Sequence, residues 1–353
     1  MKNLKEYLNK ITPLNNSAMI LSQQCWDSLA KPLGSLGELE NIIVKISGMV
    51  NTPKVDISKK CVVIMCADNG IVKENVTQTD SSVTYVVAKN MAEGTSNINL
   101  MANISKADVF TIDIGMNIPI DNNLNIIDKK VSYGTKSFLD TDAIGLNNTI
   151  KAIINGIDLV KTLKDKNYKI IATGEMGIGN TTTSSAIASV LLNLPVKDVT
   201  GKGAGLSNNG LKRKIEVIQK GIELRKPDKS NPLDVLSKVG GLDIAGLVGV
   251  FIGGAIYRIP IVIDGFISSI SALISARLCP KTINFMIASH MSTEPATRLI
   301  MHELNLSPII KANMHLGEGT GAVTIFPLLD MALNVYNSNR TFNSLGLDAY
   351  KKL

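Results

Sequence analysis

Glu318 stands between glycines in Gly317-Glu318-Gly319-Thr320-Gly321, directly ahead of an apolar helix that starts near Ala322. Bare backbone on both sides lets a planar ligand approach this carboxylate closely enough to hand it a proton. The same placement also suits a plain helix-terminal carboxylate, which the helix dipole stabilises by about 0.3–1 kcal/mol. A second carboxylate, Glu175, lies in the glycine-rich stretch 173–183, between an apolar strand at 168–172 and a helix at 184–192. Strand, glycine turn and helix N-terminus together make an anion site, because free backbone N–H groups converge there and the dipole favours negative charge. Gly174 and Gly177 leave room for a phosphate to meet the backbone. A carboxylate inside such a loop is unfavourable unless the ligand also brings hydroxyls or a positive ring.

A second glycine loop, 199–207, contains Gly201 and Gly203 and ends at Ser207, a natural N-cap for a helix through Ile222. Lys214, one turn into that helix, can reach a phosphate, although a solvated helix lysine accounts for it equally well. The Walker pattern and the dinucleotide fingerprint are both absent. Two separate glycine loops fit the phosphate and ribose of a mononucleotide better than a pyrophosphate. His290, His302 and His315 match no zinc spacing, so metal catalysis is disfavoured and no metal or cofactor is assigned. His290 sits at a strand end facing the expected cleft, and His302 reads as a surface residue.

The elements that must carry these residues alternate between strand and helix. Unalternating apolar runs at 60–67, 107–113, 258–264 and 282–288 join the run at 168–172, and each ends in polar residues such as Asp68-Asn69, Asp264 or Ser289-His290. A short strand near Ile126, a helix opening at 82–84 through Val87 and Met91, and a helix at 148–164 fill the intervals. Such runs argue a parallel sheet covered on both faces, with ligands at the carboxyl ends of its strands. The expected fold is a doubly wound, mostly parallel α/β sheet, with 56–324 as a Rossmann-like catalytic domain. Residues 1–55 and 325–353 are expected to form a small helical domain, the first helices using Ile20, Leu21, Trp26 and Leu29, then Leu39, Ile42, Ile43 and Ile46.

Bulk properties exclude more than they identify. The 353 residues are 45% hydrophobic and 4% aromatic with a net charge of +7, and the lysines are spread rather than clustered. That pattern lacks the basic stripe of a nucleic-acid binder. The most apolar stretch, 244–257, falls short of the roughly 18–20 residues of a membrane span and reads as a buried helix rich in Gly and Ala for close packing. Four cysteines show no CxxC spacing, and Cys61 and Cys66 read as buried small hydrophobes. The first six residues begin an amphipathic segment rather than a signal peptide, so a cytoplasmic location is expected.

The run Gly174-Glu175-Met176-Gly177-Ile178-Gly179-Asn180-Thr181-Thr182 resembles the signature of the nicotinate-nucleotide–dimethylbenzimidazole phosphoribosyltransferases. Segments 31–37, 66–70, 239–243, 263–266, 289–294 and 316–321 match the same family in order, nearly from end to end. The resemblance implies transfer of the phosphoribosyl group of nicotinate mononucleotide to 5,6-dimethylbenzimidazole, giving α-ribazole 5′-phosphate and nicotinate in cobamide assembly, by a homodimer. It further implies Glu318 as general base and Glu175 beside ribose and nicotinate. Gly174, Gly177, Asn180, Thr181, Gly201, Gly203, Lys214 and Ser292 would hold the nucleotide, and Thr79, Ser81, Val87 and Leu316 the acceptor base. The chain departs from the family at Asn69, where some members carry His, at Val87, where Gln is expected, and at 80–82. Those departures leave open a paralogue acting on adenine or a phenol. A non-catalytic nucleotide-binding subunit is the other alternative, and the retained Glu175 and Glu318 argue against it.

Overall fold

The computed structural model describes residues 4–350; the first three residues of the amphipathic N-terminal segment lie outside them. Six strands form one parallel sheet: β1 (Lys60–Ala67), β2 (Ala107–Gly115), β3 (Ile126–Asp128), β4 (Ile170–Met176), β5 (Ile261–Ile263) and β6 (Met286–Ala288). Their spatial order is β3-β2-β1-β4-β5-β6, so the winding reverses between β1 and β4. This is the doubly wound order with its switch point at the sheet centre. All eight residues of β1 are buried, and successive side chains point to opposite faces, so both faces are covered.

The expected apolar helix runs Leu242–Tyr257 and packs on β1, β2 and β4 and against the helix Leu146–Asp165. Its glycines set the closeness of that crossing. A Cβ at Gly249 would run into the Ile153 carbonyl oxygen, and one at Gly156 into the Gly246 carbonyl oxygen. Among the described residues no helix is long and apolar enough to cross a membrane.

The two chain ends meet. Trp26 packs on Tyr336 with ring centroids 5.0 Å apart, the Tyr336 hydroxyl donates to the Pro53 carbonyl at 2.8 Å, and the Ala30 amide donates to the Arg340 carbonyl at 2.9 Å. In the segment 31–37, Lys31 pairs with the buried Glu40 at 2.6 Å, and the same Glu40 oxygen accepts the Leu36 amide at 2.9 Å. That fixes a structured turn.

Four local expectations are corrected. First, β4 does not stop at Ala172 but continues through Met176, paired residue for residue with β1, so Thr173, Gly174 and Glu175 belong to a strand and not to a loop. The following helix begins at Asn180, after Gly179 turns the chain at φ +94°. Second, the strand expected at 258–264 shrinks to β5. Arg258 closes the preceding helix in the left-handed conformation (φ 57°), its guanidinium donating to the Gly48 and Met49 carbonyls at 2.7 Å. Pro260 has no amide to give a ladder. Third, Pro280–Phe285 forms a 3₁₀ turn, which leaves only β6 of the expected strand at 282–288. Fourth, Ile20 and Leu21 are exposed, and the helix Asn16–Ser28 buries Ala18 and Ser22 in their place beside the expected Trp26. The small residues let it lie close to the next helix, where the Ser47 hydroxyl donates to the Ala18 carbonyl at 3.2 Å.

The glycine crossing makes a direct prediction. Gly249→Ala should destabilise the chain by about 1–3 kcal/mol or more, the usual consequence of overpacking. A urea midpoint unchanged from the parent would show that the two helices separate without strain.

Candidate active site

The carboxyl ends of β4, β5 and β6 open into a cleft of about 240 Å³, on the side of an open parallel sheet where ligands bind. Of the residues singled out from sequence, Glu175, Gly177, Asn180, Thr181, Gly203, Ser292, Val87, Leu316 and Glu318 line it. Gly174, Gly201 and Lys214 lie behind the lining. Thr79 is exposed and Ser81 half-buried, in the turn before the helix Ser82–Ala92, outside the cleft wall.

Glu318 owes its position to an unusual backbone. Gly317, Glu318 and Gly319 all have positive φ, at 83°, 62° and 83°. Left-handed backbone is easy for glycine and strained for glutamate, at about 1–3 kcal/mol for such a residue. The strain is held by Asp264 at the end of β5, whose carboxylate accepts the Ala322 amide at 2.8 Å and the Gly319 amide at 3.3 Å. The Thr320 hydroxyl donates back to the Gly317 carbonyl at 2.7 Å. Gly174 then has a structural role: a Cβ there would approach the Glu318 carbonyl and the Gly319 amide nitrogen to 2.9 Å. Gly321 is obligatory for the same reason, since a Cβ would collide with the His290 ring.

The Glu318 oxygen Oε2 is buried and has no hydrogen-bond partner. Burial raises this carboxyl above its ordinary pKa, the Ile98 amide works against the rise, and the nearby Asp264 adds to it. Asp264 is itself pushed up by burial, opposed by His290, and burial pushes His290 down. The Ser289 hydroxyl lies 3.2 Å from His290 Nδ1.

Glu175 is buried deeper in the cleft. The Asn180 side-chain amide binds one Glu175 oxygen and also Asp243 Oδ2, at 3.0 Å, so one amide bridges two carboxyls. Burial, with Asp243, Asp264 and Glu318 as like-charged neighbours, raises Glu175 to about 8 against the Asn180 hydrogen bond. Burial likewise raises Asp243 to about 6. In the unliganded chain at neutral pH Glu175 therefore carries a proton. A cationic ring placed beside it would favour the ionised form.

The second glycine loop adjoins the first through Lys214. This lysine is fully buried and donates to the Thr181 hydroxyl at 2.8 Å and the Gly201 carbonyl at 3.2 Å. Burial lowers it to about 8, and Glu294 opposes that fall. Its charge faces the cleft through Thr181 and not across a solvated helix surface. Ser207 caps the helix Asn208–Arg225 as expected, accepting the Gly210 amide at 3.0 Å. The apolar end of the cleft is formed by Val87, Met176, Phe266, Met314 and Leu316. His302 is exposed, and among the described residues no group of His, Cys, Asp and Glu is placed to hold a metal ion.

Sequence reasoning assigns no role to Asp243, Asp264 or Glu294. Their signal is visible only as acidic residues at or after strand ends and in the 289–294 segment. What each one binds is set by residues far away in the chain.

Fold and cleft together define a nucleotide-handling α/β protein of the doubly wound class. Within it, the chain belongs to the nicotinate-nucleotide–dimethylbenzimidazole phosphoribosyltransferase family. A phosphoribosyltransferase family model matches residues 11–347. A nicotinate-nucleotide–dimethylbenzimidazole phosphoribosyltransferase from Clostridium acetobutylicum is 46% identical over 351 residues, 99% of each chain. One of the same name from Ruminiclostridium cellulolyticum is 43% identical over 349 residues, again 99% of each. The crystal structure of CobT from Thermus thermophilus superposes with a TM-score of 0.89 at 29% identity, covering 95% of this chain and 100% of that one.

The raised Glu175 gives a pH-dependent stability. Folded chain keeps this proton between about pH 4.5 and 8 while unfolded chain has released it, so stability falls as pH rises through that window. Glu175→Gln, which carries no charge to bury, should stabilise the unliganded chain at pH 8 by on the order of 1–4 kcal/mol, and by much less at pH 5. Thermal denaturation at both pH values measures this. An equal shift at the two would show that Glu175 keeps an ordinary pKa.

Proposed function

We propose that this chain transfers the phosphoribosyl group of nicotinate mononucleotide to a ring nitrogen of 5,6-dimethylbenzimidazole, yielding α-ribazole 5′-phosphate and nicotinate. The observation that carries the reading is the unpartnered, buried Glu318 oxygen, held on strained backbone in a cleft that Val87, Met176, Phe266, Met314 and Leu316 also line. A carboxylate kept there without a donor is ready to accept one, and the acceptor azole brings an N–H.

The chemistry follows from these groups. The bond from the ribose carbon to the pyridinium nitrogen breaks, and its electron pair neutralises the ring that leaves as nicotinate. The azole nitrogen forms the new bond to that carbon, and the azole proton passes to Glu318. The leaving group is already cationic, so the reaction needs position, a phosphate anchor and a base more than acid catalysis. Glu175 lies where it can face the positive ring and the ribose. Thr181, Gly203 and Ser292, with the Lys214 charge behind Thr181, supply the phosphate end, and no cofactor is assigned. We also propose, on the family resemblance, a cytoplasmic homodimer with 56–324 as catalytic domain and 1–55 plus 325–353 as helical companion.

Two outcomes test this. Glu318→Gln is nearly isosteric and should preserve the fold and nicotinate mononucleotide binding while lowering turnover by roughly 10²–10⁴-fold, the range for a lost general base. Turnover within about threefold of the parent returns Glu318 to a helix-terminal role. Val87, apolar where an amide is expected, leaves shape as the main discriminator, worth about 1–3 kcal/mol per methyl group. Benzimidazole and dimethylbenzimidazole, which differ by two methyl groups, should therefore both be used, at rates within roughly 10⁴-fold of each other. A product assay over a panel of aromatic acceptors decides it, and a strict preference for adenine or a phenol would move the chain to another branch of the family.

A further inference from the structure

The phosphate end of the cleft already contains an anion, and it belongs to the chain. Glu294 Oε1 accepts the Gly203 amide at 3.0 Å, so a carboxylate stands where that backbone donor would meet a phosphate oxygen. Its other oxygen, Oε2, is buried and has no hydrogen-bond partner. Gly201 shows how far the carboxylate reaches into the loop, because any Cβ there would collide with Oε1 and Oε2 and only glycine leaves it space. Lys214, which donates to the Gly201 carbonyl and the Thr181 hydroxyl, feels Glu294 as its opposing charge. Glu294 itself stands at the cleft wall, immediately before the helix Pro295–Glu303, half-buried and in extended backbone.

We infer that Glu294 is a built-in competitor for the phosphate: its carboxylate fills the Gly203–Lys214 cradle in the unliganded chain and must swing out before a nucleotide can seat. The inference rests on the reading of that cradle as the phosphate site. Two like charges cannot share one backbone donor, so an incoming phosphate and this carboxylate are mutually exclusive occupants. Only a ligand carrying an anion strong enough to take both the amide and the lysine displaces Glu294. A riboside that lacks the phosphate has nothing to offer the cradle and leaves it closed. Glu294 thereby separates nucleotide from nucleoside at the first binding step. If the carboxylate holds the cradle for nine-tenths of the time, nucleotide affinity is reduced about tenfold, since apparent affinity scales with the competent fraction.

Calorimetry on the full chain tests this with nicotinate mononucleotide, its riboside and inorganic phosphate as probes. Glu294→Gln keeps a hydrogen-bonding group without the charge, and Glu294→Ala removes the group altogether. Both variants should bind the mononucleotide more tightly, by about tenfold for the alanine variant, and inorganic phosphate more tightly in step. Riboside affinity should stay at the parent value. Unchanged or weakened mononucleotide binding in both variants overturns the inference, as does equal tightening for the riboside, which would make Glu294 an obstacle to ribose. Lys214→Ala separates the two layers of the claim. If it weakens mononucleotide binding while the Glu294 variants fail to strengthen it, only the competitor idea falls; if it changes nothing, the phosphate assignment falls as well.

Discussion

The site depends on one buried carboxylate, Asp264 at the end of β5. Asp264 accepts two amides, from Gly319 and Ala322, and so holds three successive residues in left-handed backbone. Without that clamp only the Thr320 bonds back to the Gly317 carbonyl would remain in the loop to hold a glutamate at positive φ. The clamp needs β5 to end where it does, Gly174 to let the loop lie on β4, and Gly321 to pass the His290 ring. Three distant segments of the chain thus share a single task. A glycine loop that reads as local is in fact a tertiary construction.

Charge is divided between the two ends of the cleft. Glu175, Asp243, Asp264 and Glu318 crowd one end, each pushed upward by burial. The cation Lys214 is buried at the other end, with Glu294 facing it. Nicotinate mononucleotide has the complementary layout, a positive ring at one end and a phosphate at the other, and its charges offset both. Ionising these crowded carboxyls together is unfavourable, so the unliganded chain holds the Glu175 proton at neutral pH.

Much of this is legible in the sequence, and the rest fails for identifiable reasons. β1 is readable because a run buried at every residue is what a doubly covered strand demands, β2 because apolar residues dominate it, and Ser207 because an N-cap is a local device. The glycine frame around Glu318 marks that residue without any structure. β4 is misjudged because Gly174 and Glu175 look like loop residues, while their pairing with Ile64 and Met65 is a long-range fact. β5 and β6 shrink because the helix end at Arg258 and the 3₁₀ turn from Pro280 claim residues of strand-like composition. Ile20 and Leu21 mislead because close helix packing selects small residues over large ones. Asp264, Asp243 and Glu294 show in the sequence only as acidic residues at or after strand ends and in the 289–294 segment, since what each one binds is set where distant segments meet.

The central claim is that Glu318 receives the azole proton, and the pH dependence of kcat/KM for dimethylbenzimidazole tests it most directly. The parent should lose activity on the acid side as Glu318 protonates, with the midpoint above the ordinary glutamate value in line with its burial. In Glu318→Gln that acid limb should vanish, leaving only any titration that belongs to the acceptor itself. An acid limb of the same position and depth in both proteins would contradict the account.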